Sequence, residues 1–405
     1  MIKHNSRSIL VMACLVFLSL GLMTAALGPM LPDLARQTGS TLAAIGAVFT
    51  ALFLGALISQ VISGPLGDRL GMGVVLRGGV VLLAAGSLGV SFSHWLPLTL
   101  AFAFLAGLGH GAVDLGANLL IATTFAEKSV SAINLLNVFF GVGAFVGPVV
   151  ASLTLRAWGT AVPAIWVSVV ILLLLVPFLS GLKLAQAASA AQPAHLPAAR
   201  GSDGIYRSPM LWLLGVLILV YVGTESGLGG WTTTYMVRTT TLSIDQAAIV
   251  TAAFWLALTA GRMVSAAIGL RVSSFALLAA SLAGATLGAA LLVVSIGSPV
   301  ISTLAVLLIG FSFGSVYPTA LAITAAAFSQ GPGKAASVVA ALGSVGGMLL
   351  PWLQGIVLAQ VSPRASAGYS AIGVVLMVGL LALVWALFYR KPKVPARQLA
   401  AEEAA

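Results

Sequence analysis

The apolar residues of this chain fall in long runs separated by short polar or Pro/Gly-containing breaks. A bilayer core of about 30 Å is crossed by about 20 apolar residues in a helix. Runs of that order occupy residues 9–31, 40–64, 74–92, 97–123, 130–155, 161–182, 209–236, 244–268, 272–296, 299–328, 334–360 and 367–389. The pattern predicts twelve membrane-spanning helices, an all-α membrane protein. The first run follows Lys3 and Arg7, as a secretory signal would. It is longer than a signal core of roughly 7–15 residues, and eleven similar runs follow it, so it is expected to be the first span.

The breaks carry the charge, and the charge sets an orientation. With both termini on the cytoplasmic side, the inner face receives Lys3, Arg7, Arg69, Arg77, Lys128, Lys183, Arg200, Arg207, Arg262, Arg271, Lys334, Arg390, Lys391, Lys393 and Arg397. The outer face keeps Arg36, Arg156, Arg238 and Arg364. Cytoplasmic loops retain Lys and Arg, so this asymmetry predicts a multi-pass protein of the cell (inner) membrane with cytoplasmic termini.

The longest break, Leu184 to Ser208, is rich in Ala, Pro, Ser and Gly and has little to bury against its ordering entropy. It divides the chain into an N-terminal six-helix bundle (1–183), a cytoplasmic linker (184–208), a C-terminal six-helix bundle (209–390) and a cytoplasmic tail (391–405). Shifting the first half by 203 positions lays Gly107 and Gly111 on Gly310 and Gly314, and Gly143 and Pro148 on Gly346 and Pro351. Six spans separate the copies, so the repeat is parallel, as in two-halved transporters whose site lies at the midplane between the halves. Small residues four apart also let helices pack closely, which alone accounts for part of the coincidence.

Composition narrows the function classes. The 405 residues are 60% hydrophobic and 7% charged, with a mean hydropathy of +1.11, and no soluble surface can be built from that. The net charge of +10 would suggest an acidic or nucleic-acid partner in a soluble protein, but here it sits in orienting loops. Cys14 is the one cysteine and lies inside an apolar run, so neither a disulfide framework nor a thiol metal site is expected.

Between the second and third spans stands Gly64-Pro65-Leu66-Gly67-Asp68-Arg69-Leu70-Gly71, followed by Arg77. This resembles the G-x-x-x-D-R-x-G loop signature of the major facilitator superfamily, and the spans and repeat agree with it over nearly the whole chain. The resemblance implies that fold, two pseudo-symmetric six-helix bundles, and a gating loop made by Gly64, Asp68, Arg69, Gly71 and Arg77. In that family the loop acid is thought to dock at a neighbouring helix end, where a carboxylate meets unpaired N–H groups, holding the inner gate closed. The other reading is ordinary loop charge that only sets topology. In the second half, Gly261-Arg262 to Gly269-Leu270-Arg271 lacks an acid, so its gate is not assumed symmetric.

Asp114-Leu115-Gly116-Ala117-Asn118, Glu225-Ser226-Gly227-Leu228-Gly229-Gly230-Trp231, Phe254-Trp255 and Tyr317-Pro318-Thr319 are similar to stretches of the fucose and glucose/galactose permease group. That group carries an acid within its first helix, and the first predicted span here has none.

Two carboxylates fall well inside predicted spans, Asp114 and Glu225, each costing roughly 2.5–3.5 kcal/mol at a helix centre unless compensated. They line a polar path for substrate or ion, or they are hydrogen-bonded to a neighbouring helix. His110 lies one turn before Asp114 on the same face, and an imidazole with an ordinary pKa near neutrality beside a carboxylate makes a proton relay; the other reading is the commoner one for a lone His in a membrane helix, a hydrogen bond and nothing more. Proton coupling is therefore assigned to Asp114, His110 and Glu225.

Asn118 extends the Asp114 face with a donor and an acceptor suited to a hydroxylated ligand. Asn134 and Asn137 are substrate contacts or interhelical glue. Trp231 and Tyr235 follow Glu225; an aromatic platform against a sugar ring and an aromatic belt at the outer interface are the two readings, the belt being preferred for Tyr235. Trp255, Tyr317, Trp352 and Gln354 are further cavity candidates, and Arg262 is expected to be an interface anchor.

The expectation is a monomeric secondary transporter working by alternating access in the lipid bilayer, taking up a sugar or similar small polar solute with a proton. The alternative is proton-driven efflux of drug-like or cationic compounds, suggested by Gly143-x-x-x-Gly147-Pro148, which looks like part of an antiporter motif. No cofactor, no metal and no nucleic acid is expected. The chain lacks H-E-x-x-H, G-x-S-x-G and a Walker loop, and its histidines are scattered, so no enzyme is predicted.

Overall fold

The computed structural model describes residues 6–125, 129–181, 202–269, 271–328 and 331–389. Among them the chain forms helices and no strand. Apolar segments surrounded by lipid must satisfy their backbone groups internally, and the helix does so segment by segment.

The helices are α1 (Ser6–Gln37), α2 (Ala47–Leu70), α3 (Met72–Phe92), α4 (Leu96–Phe125), α5 (Ser129–Trp158), α6 (Ala164–Gly181), α7 (Pro209–Thr239), α8 (Ile244–Ile268), α9 (Ser274–Val294), α10 in two pieces (Pro299–Phe313 and Val316–Ala327), α11 (Pro332–Ile356) and α12 (Pro363–Val384). Eleven of the described helices are long and apolar enough to cross a membrane, and α6 holds a shorter apolar stretch, Ala164–Leu179. We call the side where α1 begins and α12 ends the near side, and the opposite one the far side.

Local chemistry fixes the starts. Pro209, Pro299, Pro332 and Pro363 occupy first-turn positions of α7, α10, α11 and α12, where the missing N–H costs nothing. Ser243 and Gln246 form a reciprocal capping box at the start of α8.

Three elements differ from the sequence expectation. The Gly64–Gly71 signature is not a loop: α2 continues through Leu70, and the break is the single residue Gly71 at φ 87°, a left-handed conformation that glycine alone adopts without strain. Helix α1 runs on to Gln37, so it does contain an acid, Asp33, at its far end. The expected linker lies outside the described residues from 184 to 201. Its last part, Ser202–Arg207, forms a 3-10 turn, anchored by buried Ile205 and by the Trp212 indole, which donates to Tyr206 O at 2.8 Å.

The internal repeat is expressed in packing. Helix α1 lies against α5 and α6, and α4 against α2 and α3; in the second half α7 lies against α11 and α12, and α10 against α8 and α9. The aligned glycines make equivalent approaches. A Cβ on Gly143 would overlap Leu18 O of α1, and one on Gly346 would overlap Leu219 O of α7. Gly107 meets Leu52 O of α2 as Gly310 meets Phe254 O of α8. These are backbone-to-backbone contacts that any side chain would block.

The halves meet along α1 with α7, α2 with α11 and α5 with α8. The close contacts gather in the middle and far side: Gly28 against the carbonyls of Gly229 and Gly230, Gly347 against Phe53, and Thr50, which donates to Met348 O at 2.6 Å. At the far rim the Arg156 Nε of α5 reaches Asp245 Oδ2 of α8 at 2.7 Å.

Candidate functional site

Near the middle of the bundle a polar group forms from α4, α7, α8 and α10. Tyr221 and Glu225 are one turn apart on α7. The Arg262 guanidinium of α8 lies 3.4 Å from Glu225 Oε1, and the Tyr221 hydroxyl sits against both of them. That hydroxyl donates to Phe313 O at 3.0 Å, and its ring packs edge-on to Phe313. Phe313 ends the first α10 piece, next to the Gly314–Ser315 break, and helix-terminal carbonyls are the ones open to side-chain donors.

Tyr317, on the second piece of α10, is half-buried, with its ring 6.3 Å from Tyr221. It feels the charges of Asp114, Glu225 and Arg262 together. Asp114 of α4 accepts from Asn118 Nδ2 at 3.1 Å, the same nitrogen donating to Asp114 O at 2.9 Å. His110 shares that helix face, and its buried Nδ1 has no hydrogen-bond partner. The two intramembrane carboxylates therefore differ: Glu225 has a cation beside it, and Asp114 has an amide.

A second set closes the far side. Trp231 is 1% exposed, donates from Nε1 to Pro351 O at 2.7 Å, and packs 6.4 Å from the Phe49 ring of the other half. Gly46 and Gly355 leave room for its indole. In this state Trp231 is a plug between the halves and offers no open ring face. Tyr235 is equally buried and donates to Leu292 O at 3.0 Å, so the aromatic belt is wrong for both residues. Every residue from Gly227 to Met236 is buried, because this stretch of α7 is enclosed by neighbouring helices.

The remaining candidates divide. Gln354 is buried in the far-side set, its Nε2 donating to Ser370 Oγ at 3.1 Å while its Oε1 lacks a partner. Trp352 lies beside Gly46 and is partly exposed. Trp255 is 6% exposed, fills the space beside Gly229, and has an unpartnered Nε1.

Asn134 and Asn137 are exposed and lie within about 40° of Gly141 around α5. Gly141 faces Thr259 of α8, so both asparagines look toward the near-side part of the seam. Asn137 Nδ2 donates to its own helix at Ile133 O, 3.0 Å. Of the gating residues, Gly64 has open space around it, Arg69 is exposed, and Arg77 Nε donates to Gly73 O at 3.1 Å. The side chain of Asp68 lies outside the described residues.

Sequence reasoning misplaced Arg262, which is the counter-charge of Glu225 and not an interface anchor. It also overlooked Tyr221, for which a phenol one turn before an intramembrane acid was the available signal. Asp33 was missed as well. It is 4% exposed, pairs with Arg36, and accepts from Ala161 N at 2.5 Å and Thr160 Oγ1 at 3.0 Å, tying α1 to the α5–α6 turn. Among the described residues no group of His, Cys, Asp and Glu could hold a metal ion.

Comparison with known proteins agrees with this architecture. Residues 13–332 match the family model described as Major Facilitator Superfamily. Sodium-dependent glucose transporter 1 of Homo sapiens is 23% identical over 401 residues, 91% of this chain and 77% of that protein. The Rattus norvegicus protein of the same name is 34% identical over 148 residues, 36% of this chain, so the match spans only 30% of that relative's length. Among solved structures, a D-xylose-proton symporter superposes with a TM-score of 0.78 at 14% identity, covering 94% of this chain and 97% of that one. The E. coli fucose:proton symporter superposes with a TM-score of 0.63 at 17% identity, covering 94% and 99%.

Proposed function

The chain belongs to the Major Facilitator Superfamily, and we propose that it is a secondary transporter carrying a sugar or similar small polar solute together with a proton, by alternating access. The observation that carries this reading is the unequal charge of the polar centre. The group holds two carboxylates and one guanidinium: Arg262 stands 3.4 Å from Glu225, and Asp114 has the Asn118 amide beside it. An uncompensated charge is costly inside the membrane, so passage through a closed, dehydrated state calls for one added cation, and a proton on Asp114 meets that need. His110, on the same face, is positioned to relay it.

Asn118, Tyr317 and the unpartnered indole N–H of Trp255 supply donors and acceptors for hydroxyl groups. Asn134 and Asn137 line the approach from the near side. The loop charges make the near side cytoplasmic, so the state described here is closed to the outside by Trp231, Phe49 and the Gly28–Gly229 contact. The relatives named as glucose transporters and the neighbours named as xylose and fucose symporters support a sugar as cargo. The antiporter-like Gly143 and Gly147 pack against Leu18 and Leu22 of α1, so close helix packing alone accounts for their spacing.

The test is radiolabelled hexose uptake into proteoliposomes, with an inward proton gradient, an inward sodium gradient or neither, comparing the parent with Asp114→Asn. Proton-stimulated uptake that disappears in Asp114→Asn is the expected result. Stimulation by sodium alone would replace the coupling ion, and no hexose movement under any gradient would remove the reading.

A further inference from the structure

On the far side a groove of about 490 Å³ opens sideways between the first turns of α8 and α10. Its floor and walls are apolar, with Ile249, Val300 and Leu304 exposed. Arg156, Gln246 and Thr303 supply its polar atoms. The depth follows from the helix ends: α8 is capped at Ser243 and α10 at Ser298, so the polar end of the groove lies where spans meet the headgroup layer and the apolar end runs into the hydrocarbon.

Two of the three polar side chains present donors to the groove, and Thr303 presents an acceptor. Arg156 is 60% exposed and spends Nε on Asp245 Oδ2, which leaves the terminal nitrogens of its guanidinium to face the groove. The Gln246 carbonyl oxygen accepts from Ser243 N at 3.1 Å, so its amide nitrogen is the group left to point outward. Thr303 directs its hydroxyl proton to Pro299 O at 2.8 Å. The free guanidinium and amide N–H groups at headgroup depth suit an oxyanion, and the guanidinium fork suits phosphate oxygens in particular.

We propose that this groove is a binding site for a membrane phospholipid, its phosphodiester held by Arg156 and Gln246 and one acyl chain lying along Ile249, Val300 and Leu304. Arg156 belongs to the first half and the other lining residues to the second, so the site is complete only when α5 and α8 are together at the far rim. The lipid accordingly binds the far-side-closed state and favours it, by the differential affinity that any state-selective ligand exerts.

The experiment is native mass spectrometry of the full chain in detergent with added phosphatidylglycerol, with diacylglycerol, which has the same tails and no phosphate, as the control. The parent should retain phosphatidylglycerol and not diacylglycerol. Arg156→Gln should weaken retention about tenfold, the value of a charge-assisted hydrogen bond. Asp245→Asn breaks the same ion pair but spares the guanidinium, so it should keep the lipid. Leu304→Trp, which fills the groove and leaves Arg156 in place, should lose it. Equal retention by Arg156→Gln and the parent, retention by Leu304→Trp, or diacylglycerol competing as well as phosphatidylglycerol would each overturn the proposal.

Discussion

The contact of α1 with α7 at Gly28 offers a direct test of the proposed alternating access. A Cβ placed there would lie 2.6 Å from Gly229 O and 2.9 Å from Gly230 O, and both are backbone atoms that cannot rotate away. Overpacking of this kind costs about 1–3 kcal/mol. Because Gly28 meets the opposite half, the cost falls on the far-side-closed state and not on either bundle. Gly28→Ala should therefore shift the balance toward the far-side-open state by roughly five- to 150-fold. Gly143→Ala is the control: its Cβ would strike Leu18 O inside the first bundle, so it should lower stability in every state.

The assay is a spin-label distance measurement in lipid nanodiscs between Trp158→Cys and Val361→Cys, exposed far-rim positions on opposite halves. Cys14, the buried native cysteine, is replaced by Ala in that background. The far-rim distance distribution should move to longer values in Gly28→Ala, with a melting temperature close to the parent's. An unchanged distribution, or a loss of stability equal to that of Gly143→Ala, would refute the assignment of Gly28 to a moving seam.

Two further outcomes follow from the polar centre and the α2–α3 junction. Arg262→Gln strands Glu225 without its counter-charge and should cost about 3 kcal/mol or less, because Arg262 keeps some solvent contact; the Arg262→Gln/Glu225→Gln pair should recover much of that in thermal unfolding, and strictly additive losses would deny the coupling. Asp68→Asn should slow hexose turnover with the fold intact, by up to roughly 30-fold if the carboxylate docks at a helix end in the near-side-closed state, and normal turnover in a well-folded protein would count against the gate.

How far the sequence could be read depends on which forces act locally. Span positions were legible because burial in hydrocarbon is a property of each segment alone. The run 244–268 coincides with α8, and the repeat glycines mark helix approaches that recur in both halves. The α1 end was misjudged because Asp33 and Arg36 read as loop polarity, whereas the turn at Thr160–Ala161 satisfies the Asp33 carboxylate and lets the helix continue to Gln37. Hydropathy also does not separate a residue facing lipid from one facing another helix. Tyr235 looked like an interface aromatic because it stands near a span end, yet α7 is packed against α8, α11 and α12 there, and its ring, like that of Trp231, is internal.

Arg262 shows the same limit in its sharpest form. Counted along the chain it is one more positive charge near a helix end, and its partner Glu225 lies 37 residues away on another helix. No local pattern encodes that pairing, because it depends on the rotation of α8 against α7 and on the break in α10 beside which Phe313 O accepts from Tyr221. Once the pair is seen, the two intramembrane acids stop being equivalent. Glu225 has its charge answered within its own half, while Asp114, whose side chain meets Asn118 among the described residues, is left as the group that must find its compensation elsewhere, and on that inequality rests the proposal that it takes a coupling proton.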